Sequence, residues 1–326
     1  MLNDIIINRL VYTSHLIGIN QSRCLRMRLN INTCNGCLDQ CPAGAIRIDE
    51  RGVNITRGTC SECMLCVSVC PSGSFEINKF VFYSVITRLN DIDSPVMGCT
   101  LKPNLNAHVK TLCLGFLSEE HFVVLSIAIE NPLQINLTEC SNCRNGFIVS
   151  FLKKRLEVVE KKIPVKFHEK IRLVEEKEYL DYHDITLARR DLFKMIKNLT
   201  LQGTTSLFQN ADAGENLQPY SDKALPFKKE LLNKMFDLLN EETKEAILVN
   251  YYYDLSVDKD CNHCFACVGM CPTGALKTRG KESRQGLLFN SSLCNGCGLC
   301  ANFCKINVIR IKQGLTGKNP FVFNHI

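Results

Sequence analysis

The apolar positions between 78 and 160 alternate between helical and extended spacing. Three segments have apolar residues at helical spacing, and Ser118 caps the second: 79–89, 119–129 and 144–162. Shorter apolar runs that predict strands lie between them: 95–99, 108–113 and 134–140. Since strands that alternate with helices form parallel sheets, the pattern predicts a small α/β domain at 78–165.

A second amphipathic pattern lies at 228–248, where it predicts a packing helix. Its apolar face is formed by five residues: Leu231, Leu232, Met235, Leu238 and Leu239. The preceding stretch at 201–226 contains Gly, Asn and Pro residues typical of a loop. We therefore expect a helical connector at 166–250.

The cysteine content sets this chain apart from an ordinary globular protein. The chain has 326 residues, of which 45% are hydrophobic and 22% charged, but it also has 20 cysteines. The N-terminal residues lack the features of a signal peptide, and no apolar run reaches the roughly 18 residues of a membrane span. We therefore expect a cytoplasmic protein without a membrane span, in which grouped cysteines bind metal.

Two cysteine runs of one spacing lie at the C-terminal end. They are Cys261-x2-Cys264-x2-Cys267-x3-Cys271-Pro272 and Cys294-x2-Cys297-x2-Cys300-x3-Cys304. Three closely spaced thiolates wrap one face of a 4Fe–4S cluster, and the fourth cysteine of each run binds the other cluster. This rule predicts two ligand sets: Cys261, Cys264, Cys267 and Cys304, and Cys294, Cys297, Cys300 and Cys271.

The last 70 or so residues closely resemble the bacterial two-cluster ferredoxins in these runs. One difference is Lys305, which stands where proline would follow the last crossing cysteine. The resemblance implies a ferredoxin-like module at 251–326 that transfers single electrons.

The N-terminal segment at 1–77 repeats the motif with one irregularity. Its two runs are Cys60-x2-Cys63-x2-Cys66-x3-Cys70-Pro71 and Cys34-x2-Cys37-x3-Cys41-Pro42. The second run has Ile31 where its first cysteine would stand, so Cys24 is either the displaced ligand or a buried free thiol. The crossing rule predicts two ligand sets: Cys60, Cys63, Cys66 and Cys41, and Cys24, Cys34, Cys37 and Cys70.

The middle segment adds four more cysteines. If its strands are parallel, Cys99, Cys113 and Cys140 lie at their carboxyl ends, and Cys143 lies at the start of the next helix. Ligands bind at this edge of open α/β sheets, and a helix N-terminus there favours a thiolate. The pattern therefore brings four cysteines to one edge.

This segment resembles the iron–sulfur domain in the delta subunit of methyl-viologen-reducing hydrogenases. The matching features are Cys99, Cys113-Leu-Gly and Cys140-Ser-Asn-Cys143-Arg-Asn-Gly. The resemblance implies a 2Fe–2S cluster on these cysteines. From the residues alone, a fifth cluster, a structural zinc and free or redox-active thiols remain open.

The predicted fold class is α+β, with two ferredoxin-like modules flanking a small parallel-sheet domain and a helical connector. The formal charge of +6 does not indicate nucleic acid binding, since four oxidised clusters would contribute about −2 each. We expect an electron-transfer protein with about four 4Fe–4S clusters that serves a redox donor and acceptor as a relay subunit or partner of a larger oxidoreductase. The alternatives are an iron–sulfur enzyme, working at the middle cysteines or an open N-terminal iron, and a metalloenzyme maturation factor.

Overall fold

The N-terminal module consists of short strands and single helical turns between cysteine loops. The computed structural model describes residues 17–77, 79–184, 223–279 and 286–326. The elements of this module are β1 (Gly18–Ile19), α1 (Leu25–Arg28), α2 (Gly36–Asp39), β2 (Ile46–Asp49), β3 (Gly52–Ile55), α3 (Leu65–Val69) and β4 (Phe75–Glu76). The strands pair antiparallel, β2 with β3 and β1 with β4. Four cysteines belong to the module's small apolar core, which contains few large side chains.

A parallel sheet forms the middle of the molecule. The elements from here to residue 174 are α4 (Lys79–Asn90), β5 (Val96–Cys99), β6 (Val109–Thr111), α5 (Glu119–Ala128), β7 (Leu133–Asn136), α6 (Ile148–Lys162), α7 (Phe167–Lys170) and β8 (Ile171–Val174). The strand order is β6-β5-β7-β8, and all three pairings are parallel. The predicted parallel sheet is therefore confirmed.

The sheet extends beyond the segment in which we predicted it. Its fourth strand, β8, pairs Ile171 with Leu133 and lies within the expected helical connector. Ile171 and Val174 are buried, whereas Arg172 between them is exposed. This four-residue strand was overlooked because so short an alternation is not distinctive without its neighbour β7.

The predicted packing helix at 228–248 is interrupted. Helix α8 (Phe227–Met235) runs into a 3₁₀ turn at Phe236–Leu238, and α9 (Glu241–Tyr251) then begins. The side chain of Asn240 accepts a 2.8 Å hydrogen bond from the backbone N–H of Thr243, which caps the new helix. The prediction that Leu238 lies on the packed face is therefore wrong, since it is 71% exposed. Most of the loop expected at 201–226 lies outside the described residues.

The C-terminal module has the same construction as the N-terminal one. Its elements are β9 (Tyr253–Val257), α10 (Ala266–Met270), β10 (Leu276–Thr278), β11 (Leu287–Phe289), α11 (Leu299–Phe303), β12 (Ile309–Gln313) and β13 (Asn324–His325). Strands β9 and β12 pair antiparallel, and β10, β11 and β13 form a second antiparallel sheet.

One large apolar core joins parts of the chain that are far apart in sequence. It combines the middle sheet and its helices with Met64 and Leu65 of the N-terminal module. Phe227 and Leu231 of α8 and Leu315 near the C-terminus belong to the same core. The modules therefore share buried surface, and their cysteine loops have fixed positions relative to one another.

Candidate metal centres

Three cysteine loops share an unusual backbone pattern. In the loops that begin at Cys60, Cys261 and Cys294, the residues on both sides of the second cysteine have positive φ. Their φ angles are 59° for Glu62, 64° for Met64, 52° for His263, 55° for Phe265, 68° for Gly296 and 70° for Gly298. Side chains larger than glycine rarely adopt this conformation, and they keep it where the surrounding structure imposes it, often at ligand sites.

This backbone pattern directs N–H groups at sulfur. In each of the three loops, the amide before the second cysteine donates to the first cysteine. The N–H groups of Glu62 and His263 each lie 3.4 Å from the preceding sulfur, and that of Gly296 lies 3.5 Å from Cys294 Sγ. Such bonds stabilise a thiolate and tune a cluster bound to it.

The crossing cysteines receive similar bonds. Cys41 Sγ accepts the N–H of Ala45 at 3.3 Å, and Cys70 Sγ accepts that of Ser74 at 3.2 Å. In the C-terminal module, the hydroxyl of Thr273 lies 3.5 Å from Cys271 Sγ. Each of these cysteines therefore has a hydrogen-bond partner that suits a ligating sulfur.

Cys24, Cys34, Cys37 and Cys70 lie together, and we call them the first N-terminal quartet. The pKa of Cys37 is raised to about 12, first by burial and then by the charges of Cys70, Cys24 and Cys34. Cys24 is only 8% exposed. The structure thus brings the displaced Cys24 to the three cysteines with which the sequence grouped it.

The second N-terminal quartet consists of Cys41, Cys60, Cys63 and Cys66. All four line one cavity, together with Ile46 and other apolar residues. Burial raises the pKa of Cys66, and nearby Cys63, Cys60, Cys37 and Cys41 act in the same direction. Because Cys37 belongs to the first N-terminal quartet and Cys66 to the second, the two quartets lie side by side.

The C-terminal module holds two further groups. Cys271, Cys294, Cys297 and Cys300 form the buried C-terminal quartet. Burial raises the pKa of Cys300, and the charges of Cys294, Cys297 and Cys271 add to the effect. The structure therefore places Cys271 beside the cysteines of the second run, where the prediction groups it.

The other predicted set, the outer C-terminal quartet, consists of Cys261, Cys264, Cys267 and Cys304. Burial raises the pKa of Cys267, a hydrogen bond from Val268 N–H opposes it, and Cys264 and Cys261 raise it further. Cys304 ends α11, which packs against α10, the helix that carries Cys267. Cys264 is exposed, whereas the other nineteen cysteines are buried or half-buried.

Cys99, Cys113, Cys140 and Cys143 form the middle quartet at the carboxyl edge of the parallel sheet. Cys99 ends β5, Cys113 follows β6 by two residues, and Cys140 follows β7 by four. The pKa of Cys140 is raised to about 12, mainly by burial and then by the charges of Cys99 and Cys143. The pKa of Cys113 is likewise raised to about 12. Burial is the main cause, a hydrogen bond from the N–H of Gly115 lowers the pKa, and the charge of Cys99 raises it.

One detail of the middle quartet differs from the prediction. Cys143 does not start a helix, because α6 begins five residues later at Ile148. It lies in a series of turns, where its N–H donates to Cys140 O at 3.1 Å. The expected support of its thiolate by a helix N-terminus is therefore absent.

The middle quartet touches the second N-terminal quartet. The side-chain amide of Asn145 donates to Ser61 O at 2.9 Å and lies 3.7 Å from Cys113 Sγ. A Cβ added to Gly115 would overlap the carbonyl oxygen of Cys63. The two cysteine loops are thus in direct backbone contact.

A second contact joins the first N-terminal quartet to the buried C-terminal quartet. Asn295, beside Cys294, donates its side-chain amide to Pro71 O at 2.8 Å. Arg28 donates to Met270 O at 3.4 Å, next to Cys271. Residues from opposite ends of the chain therefore meet between these quartets.

The donor sets fit iron–sulfur clusters. Among the described residues, no three His, Cys, Asp or Glu side chains converge on a position for a single metal ion. A tetrahedral zinc ion holds each thiolate about 2.3 Å away, whereas each thiolate of a 4Fe–4S cluster binds a different iron and stands farther from the others. The N–H groups directed at Cys41, Cys60, Cys70, Cys261 and Cys294 are the hydrogen bonds that tune thiolates bound to a cluster.

The cysteine loops and their crossed pairing at the two ends are those of an iron–sulfur protein of the electron-transfer class. The profile of the 4Fe–4S dicluster domain matches residues 32–74 and 260–308, so a domain of this kind lies at each end. The chain is also similar to the polyferredoxin protein MvhB of Methanothermobacter marburgensis, with 37% identity over 60 residues. That match covers 17% of this chain and 15% of the relative. No solved structure matches the chain.

No helix within the described ranges has the length and apolar character needed to cross a membrane.

Sequence reasoning missed three residues at these sites. Asn145 and Asn295 each follow a cysteine closely, but their backbone partners lie 84 and 224 positions away. Lys229 lies on the buried side of α8, near Cys294, and nothing in its neighbourhood in the sequence indicates a cysteine site. The one indication in the sequence was that Lys229 is a charged residue at a position of the helix that otherwise carries apolar side chains.

Proposed function

We propose that the protein is an electron relay with four 4Fe–4S clusters and a fifth iron–sulfur centre. The four clusters would be held by the first and second N-terminal quartets and by the buried and outer C-terminal quartets. The middle quartet would hold the fifth centre as a 2Fe–2S cluster. When bound, each centre accepts and donates one electron at a time.

The observation that carries this proposal is the order in which the quartets touch. Gly115 and Asn145 join the middle quartet to the second N-terminal quartet, which adjoins the first. Asn295 then joins the first N-terminal quartet to the buried C-terminal quartet, and the packing of α10 against α11 leads to the outer one. Because electron tunnelling falls steeply with distance, an unbroken series of neighbouring sites favours a relay over separate functions.

Both ends of this series have cysteines that a partner protein could approach. The outer C-terminal quartet includes Cys264, the exposed cysteine. At the other end, Cys140 and Cys143 are half-buried and face a surface cavity of about 420 Å³. These ends would receive a donor and an acceptor, both redox proteins, and the shared core suits a relay subunit of a larger oxidoreductase.

The placement of Cys24 favours a relay over catalysis at an open N-terminal iron. Cys24 is buried beside Cys34, Cys37 and Cys70, so four thiols are available in the first N-terminal quartet. A site that lacked its fourth thiolate would leave one iron free to bind a substrate. The closed set of donors instead suits a cluster that only changes oxidation state.

The test is an anaerobic count of metals and electrons per chain. We expect about 18 irons, matching sulfide and about five electrons taken up in a reductive titration, since four 4Fe–4S clusters and one 2Fe–2S cluster each accept one. A Cys99→Ala, Cys140→Ala variant should lose about two irons and one electron. About 16 irons with one zinc, and four electrons in both proteins, would make the middle quartet structural. Full iron without electron uptake, or zinc throughout, would refute the relay.

A further inference from the structure

Lys229 is a lysine inside the protein. It belongs to α8, and it is only 5% exposed, next to Leu231 and Leu232 at 1% each. Lysine is almost never fully buried without a partner, because removing an ammonium group from water costs several kcal/mol. A buried Lys229 therefore needs an interaction that offsets this cost.

The direct contacts of Lys229 provide dipoles and not a full negative charge. Its Nζ donates to Tyr251 O at 2.8 Å and lies 3.2 Å from the centre of the Tyr252 ring. No carboxylate among the described residues forms an ion pair with it. A carbonyl and an aromatic face stabilise a cation only in part.

Helix α8, which carries Lys229, is joined to the loop of the buried C-terminal quartet. Tyr252 donates its hydroxyl to Asn233 Oδ1 at 2.7 Å, and the amide of Asn233 donates to Ser292 O at 2.9 Å. Ser292 lies in the 3₁₀ turn Ser291–Leu293, and Cys294 follows this turn directly. The helix that carries Lys229 is thus fastened to the backbone that carries the first cysteine of this run.

The charges of Lys229 and Cys294 act on each other. Burial lowers the pKa of Lys229 to about 7, while Cys294 and then Glu120 act in the opposite direction. Burial raises the pKa of Cys294 to about 12, while Gly296 N–H and the Lys229 ammonium act against it. Glu120 has its own cation, Lys228, at 3.9 Å, and Cys294 has the larger effect of the two on Lys229.

We propose that Lys229 is the buried counter-charge of the buried C-terminal quartet and raises the reduction potential of the cluster held there. This inference rests on the proposed function, since it requires a cluster on Cys271, Cys294, Cys297 and Cys300. Reduction adds one negative charge to the cluster, so a nearby cation stabilises the reduced form more than the oxidised form. The outer C-terminal quartet, with its exposed Cys264, has water close to it instead.

The test is an anaerobic redox titration of the full-length protein, followed by electron paramagnetic resonance. Lys229→Met removes the charge and keeps most of the side-chain volume. A Cys294→Ala variant assigns the signal of this cluster by its loss. Lys312→Met is the control, because Lys312 is exposed on β12 and solvent screens its charge.

With full iron content, Lys229→Met should lower one potential only, that of the assigned cluster. At the wild-type midpoint, we expect the ratio of reduced to oxidised cluster to fall at least about tenfold, which is about 59 mV for one electron. Full iron with unchanged potentials would overturn the proposal and leave the relay intact. A wild-type protein without a cluster at this quartet would instead refute the proposed function.

A Lys229→Arg variant keeps the test decisive if Lys229→Met loses iron. Arginine retains the positive charge, so we expect it to retain the cluster and to hold its potential close to the wild-type value. If Lys229→Arg also loses about four irons, Lys229 acts through its packing, and the counter-charge proposal is wrong.

Discussion

The contact between Gly115 and Cys63 allows a sharp test of how the middle domain is attached to the N-terminal module. Gly115 lies in the buried 3₁₀ turn Leu114–Phe116. A Cβ there would overlap the carbonyl oxygen of Cys63 and lie 3.4 Å from the backbone nitrogen of Leu65. Both neighbours are backbone atoms, so a change of rotamer cannot relieve the overlap, and the two loops must move apart in Gly115→Ala.

The expected cost follows from the type of overlap. Adding a methyl group to a packed interior typically destabilises a protein by about 1–3 kcal/mol. An unfolding entropy of about 2.1 cal/mol/K per residue gives about 0.7 kcal/mol/K for 326 residues, so each kcal/mol lowers the melting temperature by about 1.5 °C. We therefore expect a decrease of about 1.5–4.5 °C. If the second N-terminal quartet holds the proposed cluster, displacement of Cys63 should also speed the loss of its iron to a chelator.

The assay is anaerobic calorimetry at one scan rate, since loss of clusters makes unfolding irreversible. Iron release is followed separately by the bleaching of cluster absorbance in the presence of a chelator. Gly269→Ala is the matched control, because no atom lies within 4 Å of a Cβ added there. If Gly115→Ala melts and bleaches like Gly269→Ala, the argument for a tight contact between the two loops is wrong.

Three further outcomes are expected. Cys24→Ala should contain about four irons fewer than the wild type, because it removes one thiol of the first N-terminal quartet; full iron would identify Cys24 as a free thiol. Burial lowers the pKa of His121 to about 3, so as the pH falls the unfolded state takes up a proton at a higher pH than the folded state. The free energy of unfolding should therefore decrease by about 1.4 kcal/mol for each pH unit below about 6.5, until the pH approaches about 3. Calorimetry at pH 7.5 and 5.5 should therefore show a smaller decrease for His121→Gln than for the wild type, and equal decreases would contradict the assignment. Iron removal should make 17–77 and 253–326 sensitive to protease while 96–174 survives, as mass spectrometry of the fragments would show; equal resistance throughout would mean that clusters do not stabilise the ends.

The sequence predicted those features that depend on short spacing. The crossing of Cys70 and Cys271 followed from the cysteine runs, because the chemistry of a cluster limits how four thiolates can be arranged. The helices at 119–128 and 148–162 followed from apolar periodicity and, for the first of them, from the Ser118 cap. In each case the determining residues lie within one segment of the chain.

The features that sequence reasoning missed depend on partners far along the chain. Strand β8 is stabilised by pairing with β7, which ends 35 positions before it begins. Leu238 has an apolar side chain at helical spacing, but the Asn240 cap ends the preceding helical run and turns Leu238 outward. The role proposed for Lys229 depends on Cys294, and no local pattern can indicate that neighbour.

The shared core affects how this protein is made in the cell. A ribosome completes the N-terminal module and the sheet before it reaches Phe227, Leu231 and Leu315, which cover the same core. During that interval the apolar surface under α8 faces solvent, and transiently exposed surface of this kind promotes aggregation. Synthesis of the last cysteine run and closure of the core thus nearly coincide.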